Sequence, residues 1–242
     1  MMQCWICGSQ AATGEHLVKA SDLKSLFGDP SQADPLYFHT SAIKNFKIGS
    51  LKAKVLKSPA LICKRCNSAT TQPHDRAWQR LSEALRSSQP PIAAGDILRP
   101  NRIFPYDTAR EMRNVHLYFL KLFGCRIIDG SVPIDTADFG NAILQRRSHP
   151  NVYLAFGPTP DLLLDKDRVA GMSEIQGAEL DGRCAFATWF YHVGHLAVNI
   201  MYAIEGETRY GLKQAWHPRF GHKRLVMATF MSDVPDAGIA DG

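Results

Sequence analysis

The sequence predicts an α+β fold with two domains, residues 1–92 and 93–242. The chain of 242 residues is 45% hydrophobic and 10% aromatic, which is typical of globular proteins and excludes collagen-like, coiled-coil and intrinsically disordered ones. The stretch Ser-Ser-Gln-Pro-Pro at residues 87–91 is typical of a linker and sets the boundary. Amphipathic helical segments and aromatic-rich strand segments occur in the same chain, which favours the α+β class.

The predicted first domain contains segments typical of a short helix, of strands and of a longer helix. Residues 21–28 have the pattern of a capped helix that ends at a glycine. Hydrophobic residues alternate with lysines over residues 43–62, which favours strands. Pro73 suits the first turn of the longer helix, which continues with hydrophobic residues at helical spacing.

The predicted second domain combines two helices with an antiparallel sheet. A capping box from Thr108 to Glu111 predicts a helix that ends at Gly124, and residues 135–147 predict another. Asp181 and Gly182 predict a tight hairpin turn. The predicted strands are 152–156, 172–180, 185–192, 196–204 and 224–230. No resemblance to a family is found in this domain, and its role is left open.

Residues 184–204 contain no charged side chain and are long enough to span a membrane. His192, His195 and Asn199 would be costly in lipid, and Gly194 divides the stretch, so we expect two buried strands instead. The N-terminus lacks the pattern of a secretory signal. We therefore expect a cytoplasmic protein with no membrane partner.

The cysteines predict a structural zinc site. Two Cys-x-x-Cys pairs stand 55 residues apart, and in a reducing compartment two such pairs are typical of a tetrahedral four-thiolate zinc centre. The alternatives are four unrelated cysteines or a thioredoxin-type redox pair. The isolated Cys125 and Cys184 lie among hydrophobic residues and are expected in the core. The predicted zinc ligands are Cys4, Cys7, Cys63 and Cys66.

Two short strings beside the cysteine pairs carry the chemistry. Glu15 and His16 follow the first pair, and Asn67 directly follows the second. An acidic residue beside a histidine, followed later by Cys-x-x-Cys-Asn, resembles the HNH endonuclease family, whose core is the ββα-metal fold. The resemblance covers residue 4 to about residue 88.

The resemblance implies a role for each matching residue. Glu15 corresponds to the acidic ligand of a catalytic metal, Mg²⁺ or Mn²⁺, His16 to the general base, and Asn67 to the second protein ligand of that metal. The sequence departs from the family at two positions. Ser58 stands where the family has its central asparagine, and we expect it to supply one of the hydrogen bonds that brace the catalytic histidine. Lys19 stands where the family has a proline.

Independently of the resemblance, the chemistry of these residues suits phosphodiester hydrolysis. Neutral His16 can accept a proton from an attacking water near pH 7, and a hard divalent ion prefers the oxygens of Glu15 and Asn67. His74 and Asp75, at the start of the longer predicted helix, are candidates for a third metal ligand or a phosphate contact. Asp75 is also favourable there simply because of the helix dipole.

Positive charge is concentrated in the predicted first domain. Residues 1–92 hold 12 basic and 6 acidic residues, whereas the rest of the chain holds 16 and 17. A solvated basic face is the alternative, but basic residues around a nuclease-like string favour binding to a phosphate backbone. The predicted nucleic-acid-binding residues are Lys44, Lys47, Lys52, Lys54, Lys57, Lys64 and Arg65.

The sequence therefore leads to the hypothesis of a metal-dependent HNH-type endonuclease that acts on DNA, with RNA as the other candidate substrate. Families of this build occur in prophages and in bacterial anti-phage systems, so by analogy an ATPase or sensor protein is a candidate partner. The alternative is a catalytically decayed HNH-like zinc module that binds nucleic acid or a protein partner.

Overall fold

Helices and antiparallel strands both occur in the computed structural model, which describes residues 2–160 and 168–230, so the α+β prediction is confirmed. The described helices are α1 (Ala20–Phe27), α2 (Gln72–Arg86), α3 (Thr108–Asp129) and α4 (Ala137–Leu144). The described strands are β1 (Thr13–His16), β2 (Leu36–Phe38), β3 (Phe46–Ile48), β4 (Lys57–Ile62), β5 (Ile97–Leu98), β6 (Val152–Pro158), β7 (Ala170–Met172), β8 (Gln176–Leu180), β9 (Arg183–Val193), β10 (Leu196–Ala203) and β11 (Leu225–Val226).

The first part of the chain is organised around the antiparallel pair β1 and β4, which are followed by α2. Gly14 lies opposite Leu61 and His16 opposite Lys57, with an irregular register between the two positions. A Cβ atom on Gly14 would lie 2.5 Å from the carbonyl oxygen of Ser58, so only glycine allows this close approach of the strands. The segment between the strands holds α1 and the hairpin of β2 and β3.

The second part of the chain contains a five-stranded antiparallel sheet in the order β6, β10, β9 and β7, with β8 also paired to β9. Asp181 and Gly182 join β8 to β9 with φ angles of 51° and 72°, as a tight hairpin requires. Residues 184–204 form β9 and β10, as predicted. None of the described helices is long and apolar enough to cross a membrane.

Helix α3 is buried on all sides from Asn114 to Cys125 and connects the two parts of the molecule. It packs against α2, α4 and β4, and its core-facing rings meet rings from both parts. Trp78 of α2 lies 4.7 Å from the ring of Phe119 and 5.7 Å from that of Tyr191, which belongs to β9. One hydrophobic core therefore extends across residue 92, and the predicted domain boundary stays a prediction.

Three predicted element boundaries differ from the structure. Helix α3 does not end at Gly124 but continues to Asp129. Gly124 has a packing role instead, because a Cβ atom there would lie 2.3 Å from the Trp5 ring. The predicted strand 172–180 is divided into β7 and β8, and the predicted strand 224–230 is reduced to the two residues of β11. Hydrophobic pattern alone does not show where a strand loses its pairing partner.

Candidate functional site

The four cysteines of the two Cys-x-x-Cys pairs converge on one point. Their sulfur atoms all lie within 4.8 Å of one another, and the Sγ atoms of Cys7 and Cys63 are 3.6 Å apart. Four thiolates around one zinc ion at about 2.3 Å would be separated by about 3.8 Å, which matches this spacing. A set of four sulfur ligands is typical of a structural zinc site. The cluster can therefore hold a metal such as zinc.

The electrostatics of the cluster also suit a cation. Burial raises the pKa of the Cys4 and Cys66 thiols, whereas the hydrogen bond with the Ser9 hydroxyl lowers the pKa of Cys7 to about 6. Four thiolates in so small a volume repel one another unless a divalent ion offsets their charge. Cys125 and Cys184 lie apart in the core, as predicted.

Glu15 on β1 forms an ion pair with a residue that sequence reasoning missed. The Nζ atom of Lys121, on α3, lies 2.9 Å from Oε2 of Glu15 and 2.9 Å from Oδ1 of Asp75. Lys121 is completely buried. Burial alone would lower the pKa of Lys121, but the two carboxylates raise it above its ordinary value. The lysine therefore stays charged between Glu15 and Asp75.

A signal for Lys121 is present in the sequence. It is the only charged side chain among residues 114–125, which otherwise form the apolar centre of α3. A single charge within a buried helix requires a counter-ion from another element. The sequence does not show which element supplies it, because Glu15 is 106 positions away.

His16 is held in an orientation that suits a general base. Its Nε2 atom lies 3.2 Å from the carbonyl oxygen of Leu51. A carbonyl oxygen can only accept a hydrogen bond, so Nε2 carries the proton and Nδ1 carries the lone pair. In the described part of the chain nothing hydrogen-bonds to Nδ1, and the side chain is partly exposed. Nδ1 is therefore free to accept a proton.

Asn67 lies beside the strand that carries Glu15 and His16. Its Nδ2 atom donates to Oγ1 of Thr13 at 2.9 Å, and Thr13 lies two residues before Glu15 on β1. Two residues of strand span about 7 Å. The amide oxygen of Asn67 accepts no hydrogen bond from the residues described, so it is left for a ligand. The structure thus places Asn67 beside β1, the strand that carries Glu15 and His16, and directly after the last cysteine of the cluster.

The hydroxyl of Ser58 is hydrogen-bonded to another residue and not to His16. Its hydroxyl donates to Oδ2 of Asp129 at 2.6 Å, and the backbone amide of Ala60 donates to the other carboxylate oxygen at 2.7 Å. Asp129 is the last residue of α3. Ser58 therefore anchors β4 to the end of α3, and no described hydrogen bond joins it to the histidine.

His74 and Asp75 stand at the start of α2, as predicted, but face different partners. Asp75 pairs with Lys121, whereas His74 is buried and its Nδ1 atom has no described partner. Burial and then the Lys121 charge lower the pKa of His74 to about 4. Across residues 2–160 and 168–230, the four cysteines are the only group of three or more His, Cys, Asp or Glu side chains that could hold a metal ion.

The seven predicted nucleic-acid-binding residues are available to a ligand. All are exposed except Lys57, which is half-buried, and none has an ion-pair partner among the described residues. Lys54 and Lys57 line a groove of about 820 Å³ that also includes Gly14 and Ser58. Lys64 and Arg65 lie between the two cysteines of the second pair.

The site thus combines a thiolate cluster, a histidine with a free lone pair, two oxygen-bearing side chains and unpaired basic residues. Comparison of the chain with protein-family models, with curated proteins and with solved structures finds no match.

Proposed function

We propose that the protein is a metal-dependent endonuclease of the HNH type that hydrolyses phosphodiester bonds in DNA. The observation that carries this proposal is the orientation of His16, whose Nδ1 atom has a free lone pair. His16 follows Glu15 at the end of β1, and Asn67 is hydrogen-bonded to the same strand through Thr13. A general base next to two oxygen ligands is the combination that phosphodiester hydrolysis needs.

The order of elements supports the same proposal. Two antiparallel strands, β1 and β4, are followed by α2, which is the order of a ββα core. The cysteine cluster joins the loop before β1 to the turn after β4, so a metal there would hold Glu15 and Asn67 in register across the long insert. The structural metal does no chemistry in this proposal.

Each residue then has a defined task in the reaction. The carbonyl of Leu51 orients the imidazole, and Nδ1 of His16 accepts the proton of the water that attacks phosphorus. Lys121 holds the carboxylate of Glu15 in place through the ion pair at 2.9 Å. The second oxygen of Glu15 and the amide oxygen of Asn67 would hold Mg²⁺ or Mn²⁺, which when bound would neutralise the charge that develops on the phosphate.

The basic residues support a nucleic-acid substrate. Exposed lysines without acidic partners bind the phosphate backbone and carry no sequence code, so we propose cleavage of low sequence specificity. DNA is the first substrate to test and RNA the second. A role in anti-phage defence beside an ATPase or sensor protein, in the cytoplasm, extends this proposal by analogy with the nuclease family.

A second function is favoured by a specific observation. The Glu15 carboxylate already has a cationic partner in Lys121, and Ser58 is bound to Asp129. An ammonium group beside the proposed metal ligand competes with a divalent ion for the carboxylate. The alternative is therefore a zinc-stapled module without catalysis, which binds nucleic acid or a protein through its basic surface.

Plasmid cleavage separates the two functions. Purified protein is incubated with supercoiled plasmid and Mg²⁺ or Mn²⁺, and the His16→Ala variant is compared with His222→Ala, a histidine variant outside the site. We expect cleavage that depends on the added metal, that falls by about 10² to 10⁴ in His16→Ala and that persists in His222→Ala. Plasmid binding without cleavage under all these conditions would favour the non-catalytic module.

A further inference from the structure

A second basic site, not among the predicted residues, lies in a cleft of about 540 Å³ between α2 and α3. The first turns of both helices and the residue Arg146, which follows α4, line this cleft. Five of its lining side chains are arginines, and one is acidic. These arginines are Arg76, Arg80, Arg110, Arg113 and Arg146.

Two of the arginines are satisfied within the protein. Arg110 pairs with Asp107 at 3.1 Å and with Glu111 at 3.5 Å, and Arg80 donates to the carbonyl oxygen of Ile103 at 2.8 Å. The acidic residue of the cleft is therefore already used. The positive charge of the other three arginines is therefore not offset by an acidic residue of the cleft.

The other three arginines, which we call the arginine triad, are Arg76, Arg113 and Arg146. In the part of the chain that the structure describes, none of their side chains has a hydrogen-bond or ion-pair partner. They come from α2, α3 and the segment after α4, and all three line one concave space. Like charges brought together in this way repel one another unless an anion binds between them.

A buried side chain in the wall of the cleft also lacks a hydrogen-bond partner among the described residues. His74 is 1% exposed, lines the cleft, and has no described partner for its Nδ1 atom. An unsatisfied buried donor or acceptor costs about 1–3 kcal/mol, so such atoms usually have a ligand or a water. Burial and then the Lys121 charge lower the pKa of His74 to about 4, so its ring is neutral at pH 7 and adds no positive charge to the cleft.

We propose that this cleft binds a phosphate group, with the arginine triad as its counter-ions and the neutral ring of His74 in its wall. Guanidinium groups match the geometry of phosphate oxygens, and the first turn of α2, where the positive end of the helix dipole lies, lines the same space. The proposal does not require the protein to be a nuclease.

The volume suits a nucleotide-sized ligand. Pockets of 300 to 1,000 Å³ are typical of sites for small ligands, and the cleft falls in this range. The phosphate can belong to a free nucleotide or to a nucleic-acid strand that continues along the basic surface. Both sources share the recognition chemistry, and the experiment distinguishes them.

Binding measurements with three probes test the proposal. Inorganic phosphate and AMP are titrated by calorimetry, and a fluorescent single-stranded dT12 by anisotropy, all at low ionic strength. The variant is Arg146→Gln, and the matched control is Arg147→Gln, an exposed neighbour outside the cleft. We expect Arg146→Gln to weaken at least one probe about tenfold, whereas Arg147→Gln changes affinity less than twofold.

The pattern across the probes identifies the source of the phosphate. Loss of AMP and phosphate binding indicates a free nucleotide, and loss of dT12 binding alone indicates a strand. Arg113→Gln repeats the test at a residue on a different element. No binding of any probe, or equal affinities in Arg146→Gln and Arg147→Gln, would overturn the proposal. Plasmid cleavage by His16→Ala reports separately on the nuclease proposal.

Discussion

Two clusters fix the first strand of the protein, and they differ in how they are built. The cysteine cluster gathers four sulfur ligands around a space that suits a metal ion. The second cluster places the ammonium of Lys121 between the carboxylates of Glu15 and Asp75. The first can take up a cation from outside, and the second carries its cation within the chain. The comparison teaches that one strand can be anchored by a charge within the chain and also lie beside a site suited to a removable ion.

Removal of the metal should have the largest effect. We expect about one zinc ion per chain, and Cys63→Ser should lose it and destabilise the region of β1 and β4 by several kcal/mol, because metal binding is coupled to folding. Metal analysis and thermal unfolding measure the two effects. Cys184→Ser, at a buried cysteine outside the cluster, should keep the metal. Less than half an equivalent of zinc in wild type purified without chelator would contradict the prediction.

Removal of the internal cation should have the next largest effect. Lys121→Met leaves two carboxylates without their counter-ion, and we expect the free energy of unfolding in urea to fall by about 3 kcal/mol. Lys24→Met, which breaks the exposed pair with Asp29 at 2.8 Å, should cost less than about 1 kcal/mol. Adding Glu15→Gln and Asp75→Asn to Lys121→Met should restore part of the loss. Equal effects of the two lysine variants would argue against a structural role for the buried pair.

Acid should weaken the second cluster through His74, which adjoins Asp75. The folded-state pKa of about 4 lies below the ordinary value near 6.5, so the unfolded chain binds the proton first as the pH falls. The contribution of His74 is complete above about pH 6.5 and is lost progressively down to about pH 4, by up to about 1.4 kcal/mol per pH unit. Urea unfolding across this range should show a shallower decline in His74→Gln.

Metal release needs to be followed in the same acid titration, because protons also compete for the thiolates. A zinc-binding dye reports that process separately. If His74→Gln and wild type decline with the same slope while the metal stays bound, His74 does not carry the predicted proton linkage.

The smallest expected effect concerns the link between β4 and α3. Ser58→Ala removes the hydroxyl that donates to Asp129 at 2.6 Å, and we expect a loss of about 1–2 kcal/mol in the free energy of unfolding. Ser68→Ala, at an exposed hydroxyl, should change it by less than about 0.5 kcal/mol. If Ser58→Ala instead left stability unchanged and abolished plasmid cleavage, the serine would act at the site and not as an anchor.

Short-range sequence signals predicted the α+β class and the cysteine cluster, but not the partners that α3 supplies to Glu15 and Ser58. The Cys-x-x-Cys pairs and the Asp181-Gly182 turn are fixed by neighbours in sequence, so their spacing was sufficient. Lys121 and Asp129 were missed because their partners lie 106 and 71 positions away and no local pattern links them. The arginine triad was missed for the same reason, since its members come from three elements.

The position of Lys121 on α3 has a consequence for whether residues 1–92 can be exchanged between proteins. Residues 1–92 contain both carboxylates of the second cluster but not the lysine that neutralises them. Transplanted to another scaffold, that segment would bring two partly buried carboxylates without the lysine that neutralises them. We therefore expect a hybrid joined near residue 92 to be less stable than the intact chain, despite the linker-like sequence at that position.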